Sequence, residues 1–268
     1  MRKLQNSCNL CGGLQFKYLF SGKDWLLGGE ENFSLVKCLN CGLVFLNPRP
    51  SNFDEIYPLE YYKNYGEQKT EIKILENKKE KKILKFKKEG RLLDVGCNKG
   101  FFLAGMRNYN WDVWGVDISS FSCEYAKNIF GLKNIFCANI LDIEFKDNFF
   151  DVITLWQVIE HLDRPSEVLK KLNRFLKKDG LLLIECPNFS SVGAKIFKDK
   201  WQGLDLPRHF FQFSPKTLTK LLNKAGFRVK KIDHFGNIIS NLVILRTSIL
   251  RTLKIEKRPK TINKNSIS

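Results

Sequence analysis

From about Thr70 to about Arg246, short apolar runs alternate with helix-patterned stretches, and that alternation restricts the fold more than any other feature of the chain. TEIKILENKKEKKILKFKKEG places Ile72, Leu75, Ile83 and Phe86 near one helical face, with Gly90 as its expected end. RLLDVG then reads as a strand, FFLAGMRNYN as a helix, DVWGVDIS as a strand and SCEYAKNIFG as a helix closed by Gly131. After NIFCANI come the strand FFDVITLWQV, the helix PSEVLKKLNRFLKKDG with proline in its first turn, and the strand GLLLIECP. SPKTLTKLLNKAGF is a helix with Ser214 as its N-cap, and RVKKIDHF and IISNLVILR are the last strand candidates. Strands alternating with helices predict a mainly parallel, doubly wound α/β sheet covered on both faces. In such a sheet a ligand site lies beyond the carboxyl ends of the strands, which gathers the loops after Leu93, Val116 and Trp156 around one crevice.

A chain of 268 residues with 43% apolar content can build one full-size domain plus a small appendage. No apolar run follows Met1, Asn6 to Cys8 arrive too early for a signal peptide, and no uninterrupted apolar stretch reaches about 18 residues, so the expected location is cytoplasmic. The formal charge of +17 leaves two readings open. It marks an anionic partner such as nucleic acid, a phosphorylated substrate or an acidic membrane, or it is lysine on solvated helix faces, as in KKEKKILKFKKEG and LKKLNRFLKK.

In a reducing compartment the eight cysteines are metal ligands or small buried hydrophobes. Cys97, Cys123, Cys137 and Cys186 sit singly in apolar segments and are expected to pack. Cys8-Asn9-Leu10-Cys11-Gly12 and Cys38-Leu39-Asn40-Cys41-Gly42 are two copies of one knuckle, and four thiolates at this spacing suit a closed structural Zn2+ site with a hairpin between the pairs. These features divide the chain into a zinc-binding module over 1–50, a tyrosine-rich linker over 51–69, the α/β domain over 70–246 and a basic tail over 247–268. Tyr61 and Tyr62 either fold over a ligand as a lid or pack the linker. IISNLVILRTSILRTLKIEKRPK is either a last strand with a disordered tail or a peripheral contact with an anionic membrane.

The first loop of the crevice is LLDVGCNKGFF, Leu92 to Phe102. Gly96 and Gly100 let a ligand approach the backbone, and Asp117, 23 residues after Asp94, ends the next strand where a carboxylate can bind a ribose diol. The spacing is GxNxG, without the third glycine of a dinucleotide site. DVGCNKG, GVDIS and FFDVITLWQVIEHL, in that order, resemble the class I S-adenosylmethionine-dependent methyltransferases over about Leu92 to Phe235. The resemblance implies a seven-stranded Rossmann-like sheet. It also implies that Asp94, Gly96, Cys97, Asn98 and Gly100 wrap the amino-acid end of the cofactor, and that Asp117 takes the ribose with Ile118 beside the adenine. Asn139 then meets the adenine amino group and Gln157 lines the methionine part. Asn98 replaces the family's glycine; asparagine tolerates left-handed angles, and its side chain either narrows the pocket or bonds the cofactor's carboxylate.

CNLCGG to CGLVFLNPRPS, with EYY in the linker, resembles the zinc-ribbon-like modules attached to many bacterial methyltransferases, some of which act on sugars and cell-envelope precursors. The expected reaction is therefore methyl transfer to a small-molecule or carrier-linked acceptor, at oxygen, with a saccharide or envelope precursor as the acceptor class. His161 in VIEHL, with Glu160 beside it, is the first candidate base and His209 the second; each reads equally well as a structural hydrogen-bonding group. Some relatives hold a divalent ion with ExxEH, and Gln157 replaces the first acid here, so the resemblance does not carry that site over. An RNA methyltransferase is the rival enzyme reading, prompted by the charge and the zinc module, and against it the loop after the fourth strand reads LWQVIEHL in place of an NPPY-like sequence. A non-catalytic zinc adaptor with a degenerate methyltransferase fold is the other reading.

Overall fold

A computed structural model of the chain describes residues 2–28, 30–52, 56–58, 73–234, 247–249 and 251–253. These fall into two compact units: one takes the described residues of Met1–Ile56, Glu160–Asp163 and Cys186–Ser268, the other those of Tyr57–Ile159 and Arg164–Glu185.

In the first unit β1 (Arg2–Lys3) pairs antiparallel with β5 (Arg49–Pro50). β2 (Phe16–Lys23) and β3 (Asn32–Cys38) form the hairpin between the cysteine pairs, and β4 (Val44–Leu46) continues the antiparallel sheet.

The second unit begins with α1 (Lys73–Leu84), followed by β6 (Arg91–Val95), α2 (Phe101–Arg107), β7 (Asp112–Asp117), α3 (Ser120–Phe130), β8 (Asn134–Cys137), β9 (Phe150–Trp156), α4 (Pro165–Phe175) and β10 (Leu176–Glu185). Its sheet is parallel throughout, in the order β10-β9-β6-β7-β8. β6 is central and the winding reverses between β6 and β9, which makes their carboxyl ends the switch point. Alternating strand residues feed both faces. Leu92, Val113, Ile135 and Val152 meet Phe102, Leu103 and Met106 of α2 and Cys123 and Ala126 of α3. Trp114 turns the other way, into an aromatic cluster with Phe136, Phe145, Phe149 and Phe150. α4 buries Pro165, Val168, Leu169, Leu172 and Phe175, the three-and-four spacing that lays one stripe against a sheet.

Several sequence expectations need correction. α1 stops at Leu84, not Gly90, because the amides of Phe86 and Lys87 both turn back to the Ile83 carbonyl. Ile83 is buried as expected, whereas Phe86 lies beyond the helix and is exposed; Ile72 and the side chain of Leu75 lie outside the described residues. The helix expected to reach Gly180 ends at Phe175, since the amides of Asn148 and Phe149 take the Arg174 and Phe175 carbonyls and Leu176 pairs with Phe150. Of the four single cysteines Cys97 and Cys123 are buried, while Cys137 is exposed. The sheet has five strands among the described residues, not seven. RVKKIDHF forms no strand over its described residues 228–234, and 238–246 lies outside them, as do Tyr61 and Tyr62.

The segment after β10 returns to the first unit, where sequence boundaries had assigned it to the α/β domain. It contains α5 (Val192–Phe197), β11 (Phe211–Gln212) and α6 (Pro215–Lys224). β11 adds an edge to the antiparallel sheet, giving the order β11-β4-β3-β2. α6 starts on a capping box of Ser214 and Thr217 and ends with Lys224 Nζ donating to the Leu10 carbonyl inside the first knuckle. Arg208 is fully buried. It donates to both Asp24 oxygens at 2.9 and 2.7 Å and to Asp205 Oδ1 at 3.0 and 2.7 Å. Burial alone would raise the Asp205 carboxyl; the guanidinium beside it outweighs that and brings it down to about 2. Arg208→Met would strand two carboxylates in a dry setting and is expected to destabilise the protein by about 3–5 kcal/mol in urea unfolding followed by circular dichroism.

Candidate active site

The turn after β6 is built by backbone angles. Gly96, Asn98 and Gly100 all take left-handed φ, +72°, +49° and +77°. A Cβ on Gly96 would lie 2.5 Å from the Val158 side chain and one on Gly100 2.9 Å from that of Ala126, so neither position admits another residue without displacement. Asn98 adopts the left-handed angle, as the sequence allows. Its Oδ1 accepts from the Lys99 amide at 2.7 Å and from Ser122 Oγ at 3.5 Å, so the carbonyl end of the side chain serves the turn itself.

The Asp117 carboxylate closes the arrangement. Oδ2 accepts from the Asn98 amide at 2.8 Å and Oδ1 from the Ser119 amide at 2.9 Å. Burial raises this carboxyl, and the amides of Ser119, Asn98 and Ile118 oppose the rise. Each oxygen keeps acceptor capacity beyond its one amide. Ile118 beside it is 54% exposed, an apolar side chain open to a ring face. Cys97 points its sulfur into the core against Gly115, where a Cβ would approach within 2.7 Å, so it offers the turn its backbone alone.

Asp94 is 3% exposed and accepts from Thr154 Oγ1 at 2.6 Å across the β6–β9 pair. Burial pushes its carboxyl up to about 7, against the Thr154 hydrogen bond and the Lys79 charge and with help from Asp117. Gln157 is exposed, has φ +59°, and binds Glu185 twice, amide to carbonyl at 2.7 Å and Nε2 to Oε1 at 3.3 Å. Glu185 also takes Lys82 Nζ at 3.0 Å. Asn139 caps a short 3-10 turn, with Oδ1 accepting from the Leu141 amide.

The structure thus gathers Asp94, Gly96, Cys97, Asn98, Gly100, Asp117 and Ile118 at the adjoining ends of β6 and β7, while Gln157 follows β9 and Asn139 follows β8. Sequence reasoning missed Glu185, although an acid closing an apolar strand was the signal already used for Asp94 and Asp117. Lys99 was also missed. It is 7% exposed, with Nζ 5.0 and 5.1 Å from the Phe121 and Tyr125 rings, a cation–π placement that spacing does not reveal.

The three predicted catalytic residues cluster in the first unit. His161 Nδ1 bonds the Arg208 carbonyl at 3.0 Å and His209 Nδ1 the Gly203 carbonyl at 2.9 Å. The rings meet edge to face at 4.5 Å, and His209 Nε2 lies 3.9 Å from Glu160 Oε1. Burial lowers both imidazoles, His161 to about 3 with the His209 ring adding to it, so both are neutral. In the same unit Cys8, Cys11, Cys38 and Cys41 bring their sulfurs within 4.8 Å of one another, with Cys8–Cys41 and Cys11–Cys38 each at 3.5 Å. All four are free thiols. The knuckles repeat one geometry, in which Gly13 and Leu43 point amides at the sulfurs of Cys11 and Cys41.

A parallel sheet with its first strand central, a left-handed turn after that strand and an acid ending the next define a nucleoside-binding α/β enzyme. A family model described as a methyltransferase domain matches residues 71–232, more than half of the chain, and the chain belongs to that family of S-adenosylmethionine-dependent enzymes. A ubiquinone biosynthesis O-methyltransferase of Pelagibacter ubique is 29% identical over 170 residues, 56% of this chain and 67% of that protein. An uncharacterized protein of Methanocaldococcus jannaschii is 32% identical over 161 residues, 60% of this chain and 61% of its own length. Among solved structures, an S-adenosylmethionine-dependent methyltransferase of Thermotoga maritima shares the fold with TM-score 0.53 at 22% identity, covering 66% of this chain and 82% of that one. One from Archaeoglobus fulgidus has TM-score 0.50 at 23% identity, covering 67% and 87%.

The raised Asp94 carboxyl ties stability to pH. Unfolded, it ionises near 3.8; folded, near 7. Its contribution is therefore fully present below the unfolded value and is lost as pH rises through about 7. Asp94→Asn is expected to melt close to the wild type near pH 4 and above it near pH 8, a divergence read from thermal midpoints across that range.

Proposed function

We propose that the protein transfers a methyl group from S-adenosylmethionine to a hydroxyl oxygen of a small or carrier-linked metabolite, with a saccharide or cell-envelope precursor as the acceptor class. The observation that carries the cofactor assignment is the left-handed turn held by Asp117. In this reading Asp117 keeps acceptor sites for the ribose hydroxyls and Ile118 offers its exposed face to the adenine. Gly96, Cys97, Asn98 and Gly100 lend backbone to the amino-acid end, where Asp94 backs the turn. Gln157 and Asn139 complete the set. The bound cofactor supplies an electrophilic methyl on a sulfonium, and the chain's own task is alignment in a dry site.

Oxygen as the methylated atom is supported by relatives named ubiquinone biosynthesis O-methyltransferases. A hydroxyl acceptor needs help with its proton, worth roughly 10²–10⁴ in rate. We assign that activation to Glu160, His161 and His209, whose imidazoles are neutral and bonded through Nδ1 to the Arg208 and Gly203 carbonyls. Calorimetric titration of S-adenosylmethionine is expected to show binding that Asp117→Ala abolishes and Asn98→Gly leaves within a few-fold. Binding by Asn98→Gly alone would mean that the native turn is disabled.

We also assign a structural Zn2+ to Cys8, Cys11, Cys38 and Cys41. Ligands about 2.3 Å from a tetrahedral ion lie about 3.8 Å apart, close to the 3.5 Å separations of the two sulfur pairs. Amide donors to sulfur are the expected support for thiolates. Loss of one zinc per chain and a lowered thermal midpoint in Cys38→Ser, read by metal analysis and melting, would check this assignment.

A further inference from the structure

Cys137 is exposed at the end of β8, and folding sets it beside the buried Cys123 of α3. Ile135 shares a core cluster with Cys123, and Cys137, two residues further along the strand, faces the same way as Ile135. The two thiols are in hydrogen-bond contact. Cys123 Sγ lies 3.6 Å from the Asp117 carbonyl and 3.8 Å from that of Phe136, while Cys137 Sγ lies 3.9 Å from the Ile118 carbonyl. We propose that Cys123 and Cys137 are a redox modification site, oxidised by hydrogen peroxide to an intramolecular disulfide that weakens binding at the nucleoside end of the cofactor site.

The pair is asymmetric in the way this chemistry requires. Burial pushes the Cys123 thiol up to about 12, with the Asp117 charge and Cys137 adding to the rise, so at neutral pH it stays protonated. The exposed sulfur therefore reacts first. The Cys137 thiolate attacks one peroxide oxygen; an S–O bond forms, the O–O bond breaks, and the departing hydroxide takes up a proton as water. Cys123 then attacks the Cys137 sulfur: the S–S bond forms, the S–O bond breaks, and the second hydroxide leaves as water with the Cys123 proton. Two thiols and one peroxide become one disulfide and two waters, the electrons that reduce the peroxide coming from sulfur. A partner already in contact makes the second step intramolecular.

The position gives oxidation its consequence. Asp117 and Cys137 are paired across β7 and β8, and Ile118 follows directly. As thiols, the two cysteines can donate weakly to the Asp117 and Ile118 carbonyls. A disulfide has no hydrogen to donate, and its sulfurs must turn toward each other, drawing the first turn of α3 to the end of β8. The Asp117 carboxylate holds the Ser119 amide at the entry to that same helix. This coupling rests on the assignment of Asp117 and Ile118 to ribose and adenine; the disulfide itself does not.

The full-length protein, with zinc in the buffer and neither cofactor nor acceptor present, is treated with hydrogen peroxide, alkylated and cut with trypsin. Cys123 and Cys137 fall in different tryptic peptides, 108–127 and 134–146. A cross-link between them that dithiothreitol removes is the expected result. Its absence, or Cys137 joined instead to a second chain, overturns the proposal. Calorimetric titration is expected to show S-adenosylmethionine binding the oxidised wild type at least about 5-fold more weakly than the reduced form, with affinity recovered on reduction. Cys137→Ser carried through the same treatment is expected to give no cross-link and to keep its affinity. Equal affinities of the cross-linked and reduced wild type overturn the coupling. A cross-link in a protein that binds no S-adenosylmethionine in either form overturns the coupling and the cofactor reading together and leaves the disulfide standing.

Discussion

One half-buried carboxylate holds the adjoining carboxyl ends of β6 and β7 in shape. Asp117 ends β7, and its two oxygens pin the amides of Asn98 and Ser119, one in the turn after β6 and one at the entry to α3. Two neighbouring strand ends therefore share a single anchor. The turn it fixes has three left-handed residues in five, a conformation that costs free energy unless the surroundings over-determine it. Asp117 supplies that determination from outside the turn, and the Asn98 side chain supplies more from within by accepting from the Lys99 amide.

The same economy of charges runs through the first unit. Arg208 is fully buried and joins Asp24 in the N-terminal segment to Asp205 in the C-terminal one. Arg49 is 2% exposed, donates to Asp163 and Gln5, and lies over the Phe210 and Phe211 rings. A guanidinium can occupy such places because its fork matches two acceptors in one plane and its faces accept aromatic rings. Through these contacts, β11 and Lys224, the cysteine knuckles belong to a unit assembled from both ends of the chain. The histidine cluster sits in that unit, on the carbonyls of Arg208 and Gly203.

Much of the second unit was legible before folding. Apolar runs at strand length, Gly131 at the end of α3, and Pro165 at the start of α4 placed most elements within a few residues. Boundaries slipped where a neighbour intervened: α4 gives way at Phe175 because Phe150 offers Leu176 a strand partner, a preference no local propensity contains. Asp94 could be read as a turn acid from its place before GxNxG, but its raised carboxyl comes from the burial around it, which outweighs the Thr154 hydrogen bond.

By itself, the sequence determined the parallel sheet, the left-handed turn and the acid that closes it, because these follow from hydrophobic period and from which residues tolerate positive φ. It also determined the four-thiolate spacing, a local matter of two knuckles. Only the tertiary structure decided that the chain after Cys186 rejoins the N-terminal segment, that Glu185 receives Lys82 and Gln157, and that His209 meets Glu160 and His161. Those outcomes rest on pairings between residues far apart in sequence. Their energies come from desolvated charges and lone pairs that find partners only when the backbone has brought them together.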